Sequence, residues 1–379
     1  MLNFNDTNKT IIVFFMFIFG MLFSLSVLNR WLVTDLGLLS FGRVWQLYVS
    51  YTDFGFIRRG FLGTLLSESG ISKLFYNEYI FAIIIHHISI FILTILVAYY
   101  CLINNIKDFF FIIGIAFSPT FIIYQGYNTG NLDIFVLIIA LINILYVKNY
   151  IIFSINIIVG IFLHELFIFT LPAQFFSFYL CDKSKNIRFT NLSTLIPVII
   201  TLLAILMILF FGKSNISEIE FKNIMQIKIP SAYMMHSLWS GYYEINSSLE
   251  RNITTSMKIL FSNFENGKII FLLPILLYLT VLMLRTVRYM PSYLDKILLT
   301  IVIIFPMITS LVAWDYPRWI AMSANMSILI TLKLAAKNNS SYSKWNKLIV
   351  IFCLFAPFGT AQIDHPLPLH QFVFDKLMN

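Results

Sequence analysis

Charge is what this sequence has least of. Only 12% of its 379 residues are Asp, Glu, Lys or Arg, against 59% that are apolar. A soluble domain carries about a quarter charged residues, so a globule of this length would lack the polar surface to cover itself in water. Cysteine is nearly absent as well: Cys101, Cys181 and Cys353 are the three. Two sit in apolar runs and Cys181 at a helix end expected to be cytoplasmic, which gives no basis for a disulfide framework. A leader cleavage site is also missing. The apolar run from about Ile11 to Leu28 continues into Asn29, Arg30 and Trp31, so it reads as a retained first span.

What is there is apolar length. Phe alone numbers 39, and mean hydropathy is +0.83. The net charge of +8 excludes no membrane role and argues for no nucleic acid, because Lys and Arg collect at helix ends and near anionic headgroups. With about 20 apolar residues per span, the pattern predicts an all-α, polytopic transmembrane bundle of about eleven spans, within a range of roughly ten to twelve. It forms a single integral membrane domain over 1–379, with two long segments at 30–77 and 212–267. The stretch from Ile151 to Leu180 is too long for one span and is broken at His164 and Glu165. It is expected to form two short helices with that pair at their turn.

Orientation follows from the short turns. Those at Lys107, Lys148, Lys183 to Arg188, Arg285 to Arg288 and Lys337 to Lys347 are basic. Those at Gly126 to Asn131 and His164 to Glu165 carry no Lys or Arg. The positive-inside rule puts the basic set in the cytoplasm and the others, with both long segments, outside.

Four groups of polar residues then fall on the outer side. The first is Tyr51-Thr-Asp-Phe-Gly-Phe-Ile-Arg-Arg-Gly-Phe-Leu-Gly-Thr64. Arginine holds phosphate through a planar fork of donors, so Arg58 and Arg59 are phosphate-binding candidates, and Asp53 is a candidate general base. The plain structural alternative is an interfacial helix bearing Trp45, Tyr48, Tyr51, Phe54 and Phe56, with Asp53 as counter-ion to the arginines. The second is Tyr127-Asn-Thr-Gly-Asn-Leu-Asp133. Here Asn128, Asn131 and Asp133 either line a sugar or metal site, or serve as a helix start capped by Asn131. The third is His164-Glu165, an ionisable pair between apolar runs and a catalytic candidate by its cost at membrane depth. The fourth is Trp314-Asp-Tyr-Pro-Arg-Trp319. Asp315 and Arg318 are spaced to pair across one turn, as a salt bridge within an aromatic belt or as a substrate and phosphate contact. His236, Trp239, Tyr242, Tyr243 and Glu244 are sugar-stacking candidates, with Trp239 and Tyr243 foremost. His86, His87, His365 and His370 are weaker ones.

These residues resemble the GT-C class of membrane glycosyltransferases. The carrying features are a long outer segment with an Asp, outer turns with Asn and Asp, and a polar helical hairpin. Size, span number and the Ile, Phe, Asn and Lys bias are further similar to the O-antigen polymerases called Wzy. The resemblance implies a glycosyltransferase joining undecaprenyl-diphosphate-linked repeat units on the periplasmic face of a bacterial inner membrane. Asp53, Glu165 or His164 would serve in catalysis, and Arg58, Arg59 and Arg318 at the diphosphate. Asn128, Asn131, Asp133, Asp315, Trp239 and Tyr243 would contact the saccharide. No cofactor is expected; a divalent metal is compatible but required by no motif. Expected partners are membrane lipids and a polysaccharide chain-length regulator, and no nucleic acid. A GT-C enzyme moving one sugar from a polyprenyl phosphate is the nearest alternative. A lipid-linked oligosaccharide flippase is the alternative of another class, although this sequence has no evident repeated halves and few charges at mid-depth.

Overall fold

The computed structural model describes residues 6–31, 41–75, 78–106, 108–126, 130–180, 192–214, 216–229, 241–338 and 344–355, and these contain helices and no strand. The longer helices are α1 (Asp6–Trp31), α2 (Gly60–Glu68), α3 (Glu78–Ile103), α4 (Phe109–Ala116), α5 (Asp133–Leu141) and α6 (Tyr150–Leu163). They continue as α7 (Leu192–Phe211), α8 (Glu218–Lys228), α9 (Leu249–Glu265), α10 (Leu273–Val287), α11 (Tyr293–Ile304), α12 (Tyr316–Asn338) and α13 (Lys344–Phe355). Among the described residues four helical stretches are long and apolar enough to cross a membrane: Ile80–Ile103, Lys268–Val287, Tyr293–Leu311 and Tyr316–Lys337. Shorter apolar helices run over Thr10–Leu25, Asp133–Tyr146, Tyr150–Leu163 and Leu195–Phe211.

The stretch around His164 is built from two pieces, as its sequence predicts. Helix α6 ends at Leu163, His164 is extended, and a tight helical turn follows over Glu165–Thr170.

Helix α12 is the axis of the bundle. Buried residues make up 89% of an 18-residue apolar stretch within it, and it packs against α10, α11 and the 3-10 segment Phe305–Leu311. Its sequence explains the position. Ala321, Ser323, Ala324, Asn325 and Ser327 are small or polar and fully enclosed, which lets neighbouring backbones approach closely in lipid. A hydroxyl cluster ties it to α10, with Thr286 Oγ1 2.8 Å from Ser327 Oγ and 2.6 Å from Thr331 Oγ1. Helix α7 is the opposite case: Leu202, Leu203, Leu209, Phe210 and Phe211 all face outward, as lipid-facing residues do.

The two ends of the bundle differ. At one end Asp108 caps α4 by accepting from the Phe111 N–H at 3.1 Å. Asn346 donates to Asp108, and the Arg285 Nε donates to Asn346 Oδ1 at 2.8 Å. Arg288 stacks over Trp345 nearby. This end gathers the basic turns at Arg285 to Arg288 and Lys344 to Lys347. The turns after α6 and before α5 and α12 lie at the other end, with residues 41–60 and 241–246.

Residues 41–54 correct one expectation. The segment is not laid on a lipid interface but folded into the protein: Val44, Trp45, Gln46, Leu47 and Val49 are almost wholly buried, and Phe54 packs on Phe221. Two glycines allow it. A Cβ on Gly63 would lie 1.9 Å from the Val49 carbonyl oxygen, and one on Gly130, at φ +83, would lie 2.9 Å from the Val44 nitrogen. Both set the backbone of this segment directly against its neighbours.

Candidate functional site

The site begins with a backbone irregularity. Arg59 has φ 65, and among the described residues only Asn105 shares a positive φ without being glycine. A left-handed arginine costs energy and persists only where surrounding contacts hold it. The consequence is that two adjacent guanidinium groups diverge. Arg58 donates to the carbonyl oxygens of Ile245 and Ser247, the latter at 3.0 Å. Arg59 turns inward. Its Nε lies 3.2 Å from both Glu165 oxygens, its Nη2 donates to Glu165 Oε1 at 2.8 Å, and its Nη1 donates to Glu244 Oε2.

Arg318 repeats the pattern. It stands in the first turn of α12, which opens Tyr316-Pro317. Its Nε and Nη2 clamp Asp133, the second at 2.6 Å to Oδ1, while Nη1 donates to Asp315 Oδ2 at 2.9 Å. Each buried arginine thus grips one carboxylate with its fork and touches a second through Nη1. Arg43 joins the two units. Its Nη2 donates to Asp315 Oδ2 at 3.1 Å, and its Nη1 lies 3.7 Å from Glu244 Oε2. The result is an alternating chain, Asp133–Arg318–Asp315–Arg43–Glu244–Arg59–Glu165, drawn from six separate parts of the sequence. Bidentate, charge-assisted bonds of this kind are strong and directional, and alternation offsets the desolvation that each buried charge suffers.

Burial differs along the chain. The Arg318, Asp133, Asp315 and Arg59 side chains are 2–8% exposed, whereas Arg43 is 22% and Glu244 27% exposed. The open edge of the network is therefore the Arg43–Glu244 contact. Burial alone would raise the Glu165 carboxyl, but the Arg59 charge outweighs it and holds that group well below the usual carboxylate range. Glu244 is lowered likewise, burial being outweighed by Arg43 and Arg59. Burial pulls Arg59 down, and Glu165 and Glu244 more than reverse this. His164 is fully buried and is lowered by burial first and the Arg59 charge second. At neutral pH Glu165 and Glu244 are therefore ionised and the His164 imidazole neutral.

His164 also starts the turn after α6, its Nδ1 accepting from the Leu166 N–H at 3.2 Å, while Nε2 has no hydrogen-bond partner. Asp315 Oδ1 is likewise buried and unsatisfied. Beside Asp133 a small cleft, with room for about one water molecule, opens between Leu166, Phe169 and Thr170 on one wall and Pro306, Thr309, Trp319 and Met322 on the other.

The structure thus brings Arg59, Glu165, His164, Asp133, Asp315 and Arg318 to one place. Other expectations are corrected. Asp53 is not the counter-ion of the arginine pair: it is bonded by Lys228 and the Ser50 hydroxyl. Arg58 is spent on backbone carbonyls and does not share a ligand site with Arg59. Asn131 does not cap α5, whose N-terminus has no side-chain cap. Tyr243 is covered by Arg251, 4.7 Å from its ring centroid. Trp319 does not sit in a lipid belt but is buried, with Arg318 stacked over it. His86 and His87 are used on the carbonyls of Gln125 and Ile83. Asn128, Trp239, His236, His365 and His370 lie outside the described residues. Sequence reasoning missed Arg43 altogether and took Glu244 for a sugar-stacking neighbour. The one signal for Arg43 was a lone charge in an otherwise apolar stretch. Among the described residues no three His, Cys, Asp or Glu groups are arranged to share a metal ion. Compared with protein-family models, curated proteins and solved structures, the chain gives no match.

Proposed function

We propose that this protein is a membrane glycosyltransferase that takes a saccharide from a polyprenyl-diphosphate carrier, working at the Arg43–Arg59–Arg318 network. One observation carries the reading: three arginines and four carboxylates converge at a single end of an apolar bundle. Structural salt bridges scattered by chance have no reason to share an end. Ionisable groups at membrane depth are costly and mark substrate sites, and planar guanidinium forks suit phosphate oxygens.

In this reading the chain makes about eleven apolar passes. The network faces the periplasm, because the opposite end gathers the basic turns. Helix α9 lies along the outer surface, its Leu249, Phe261 and Phe264 exposed in the manner of an interfacial helix. The arginines hold the diphosphate as leaving group and stabilise the charge that develops on it. Repeat-unit polymerisation is the favoured reaction; transfer of a single sugar uses the same chemistry. A flippase would place charge nearer mid-depth, whereas here the arginine–carboxylate network lies at one end of the bundle.

The test is surface-polysaccharide length on a gel, from cells carrying the intact gene, a deletion, Arg59→Ala or Arg318→Ala. Lipid A-core bearing one repeat and no ladder supports polymerisation. A ladder whose repeats each lack a sugar supports single-sugar transfer. A ladder unchanged in length and composition rejects both.

A further inference from the structure

The network contains one carboxylate that is bound differently from the rest. Glu165 and Asp133 each lie in the fork of a buried arginine. Asp315 is buried and shares the helix start with its partner Arg318, three residues on. Glu244 has no fork, and at 27% its side chain is the most exposed of the four. It touches a single Nη1 of Arg59 and lies 3.7 Å from a single Nη1 of Arg43, on the exposed edge. Its removal leaves Arg59 on Glu165 and Arg43 on Asp315. Its displacement frees two donors on two different arginines, one on buried Arg59 and one on half-buried Arg43, and a phosphate group can take both.

Resting on the glycosyl-transfer reading above, we infer that Glu244 is both the placeholder for the donor phosphate and the catalytic base. Donor phosphate takes the Nη1 groups of Arg43 and Arg59 and expels the Glu244 carboxylate, which then faces the acceptor. The acceptor hydroxyl oxygen attacks the anomeric carbon and forms the new C–O bond. The bond from that carbon to the phosphate oxygen breaks, and its electron pair leaves with the prenyl diphosphate. The hydroxyl proton passes to Glu244. The exposed edge returns that proton to water, and the carboxylate reoccupies the arginines when the prenyl diphosphate departs. The device keeps the arginines charge-balanced without substrate, and it frees the base only when a donor is present.

The experiment uses purified full-length protein in lipid nanodiscs, with undecaprenyl diphosphate as the binding probe and sugar transfer as the activity. Glu244→Gln keeps size and removes the charge. The expected result is opposite movement of two quantities: several-fold tighter binding of undecaprenyl diphosphate, with turnover lowered about 100-fold or more, as for loss of a general base. A merely structural Glu244 would weaken binding and turnover together, and that result overturns the inference, as does unchanged binding or retained turnover. A second measurement needs no variant. Carbodiimide labelling of Glu244 in the wild type should rise when undecaprenyl diphosphate saturates the protein, and protection instead overturns the displacement. Failure of the parent reading looks different: wild type and Arg59→Ala would then bind undecaprenyl diphosphate equally, whatever happens at Glu244.

Discussion

Arg59 holds Glu165 through three donor–acceptor contacts between 2.8 and 3.2 Å, although 106 residues separate the two. The contact joins a left-handed turn in the first long segment to the break after α6, so one ion pair fixes two independent parts of the site.

That pair should be intolerant of change. Arg59→Ala leaves Glu165 and Glu244 short of charge, and breaking a buried pair from one side costs about 3–5 kcal/mol. Arg59→Lys keeps the charge but loses the fork. The expected outcome is a clear fall in melting temperature for Arg59→Ala, a smaller one for Arg59→Lys, and loss of activity in both. Thermal unfolding in nanodiscs, alongside the gel assay, checks it.

Acid should loosen the site in two stages. A histidine lowered by burial resists protonation when folded, so stability holds above its unfolded value of about 6.5 and declines as pH falls below it. Glu165 and Glu244 are held low in the fold, so their contribution stays in place above about 4.5 and is lost as pH falls further. His164→Asn keeps a side-chain acceptor for the Leu166 N–H and removes the imidazole. Melting temperature against pH should then slope less steeply from about 6.5 to 5 in the variant than in the wild type, the remaining slope belonging to the other buried histidine, His86. An equal slope in both places the titrating group elsewhere.

Asp53→Asn separates the two readings of the first long segment. Asp53 meets Lys228 and Ser50, and no ion pair joins it to an arginine of the network. Transfer activity is expected within a few-fold of wild type, with a stability change of about 0–1 kcal/mol as for exposed pairs. Loss of transfer comparable to that of Arg59→Ala would restore Asp53 as the base.

Gly63→Ala tests how the segment carrying Arg43 is seated. The added Cβ would meet the Val49 carbonyl oxygen, and α2 can relieve this only by moving. Overpacking of this kind costs about 1–3 kcal/mol. The stability loss should come with weakened activity, since Val49 and Arg43 share one short stretch of chain. Tolerance of alanine in both assays would mean that the contact is slack.

The sequence announces the class of molecule because the bilayer allows so few solutions: low charge and long apolar runs leave helices as the only economical choice. It also makes the separate charges conspicuous, and Glu165, Asp133, Asp315 and Arg318 stand out against Ile and Phe. Their partners do not. Local spacing reveals Asp315 with Arg318, three residues apart, but not Arg43 with Asp315 across 272 residues or Lys228 with Asp53 across 175. Trp45 and Trp319 mislead for a related reason. Lipid and protein interior are equally apolar, so an aromatic residue reads alike whether it faces acyl chains or is buried among other helices. Arg59 shows a further limit: nothing in Ile57-Arg-Arg-Gly60 states that one arginine will adopt φ 65 and part from its neighbour.

The enclosure of α12 has a consequence for how the protein is made. Its hydropathy, 1.4 against 2.6 for Ile80–Ile103, reflects Ser323, Asn325, Ser327 and Thr331 along its length, and Arg318 in its first turn. Presented alone to acyl chains, those groups would lack partners. Thr286 on α10 supplies one to Ser327 and Thr331, and Asp133 on α5 supplies one to Arg318, and both precede α12 in the chain. The axis of the bundle is therefore expected to enter the bilayer only once the helices that partner its polar groups are already there.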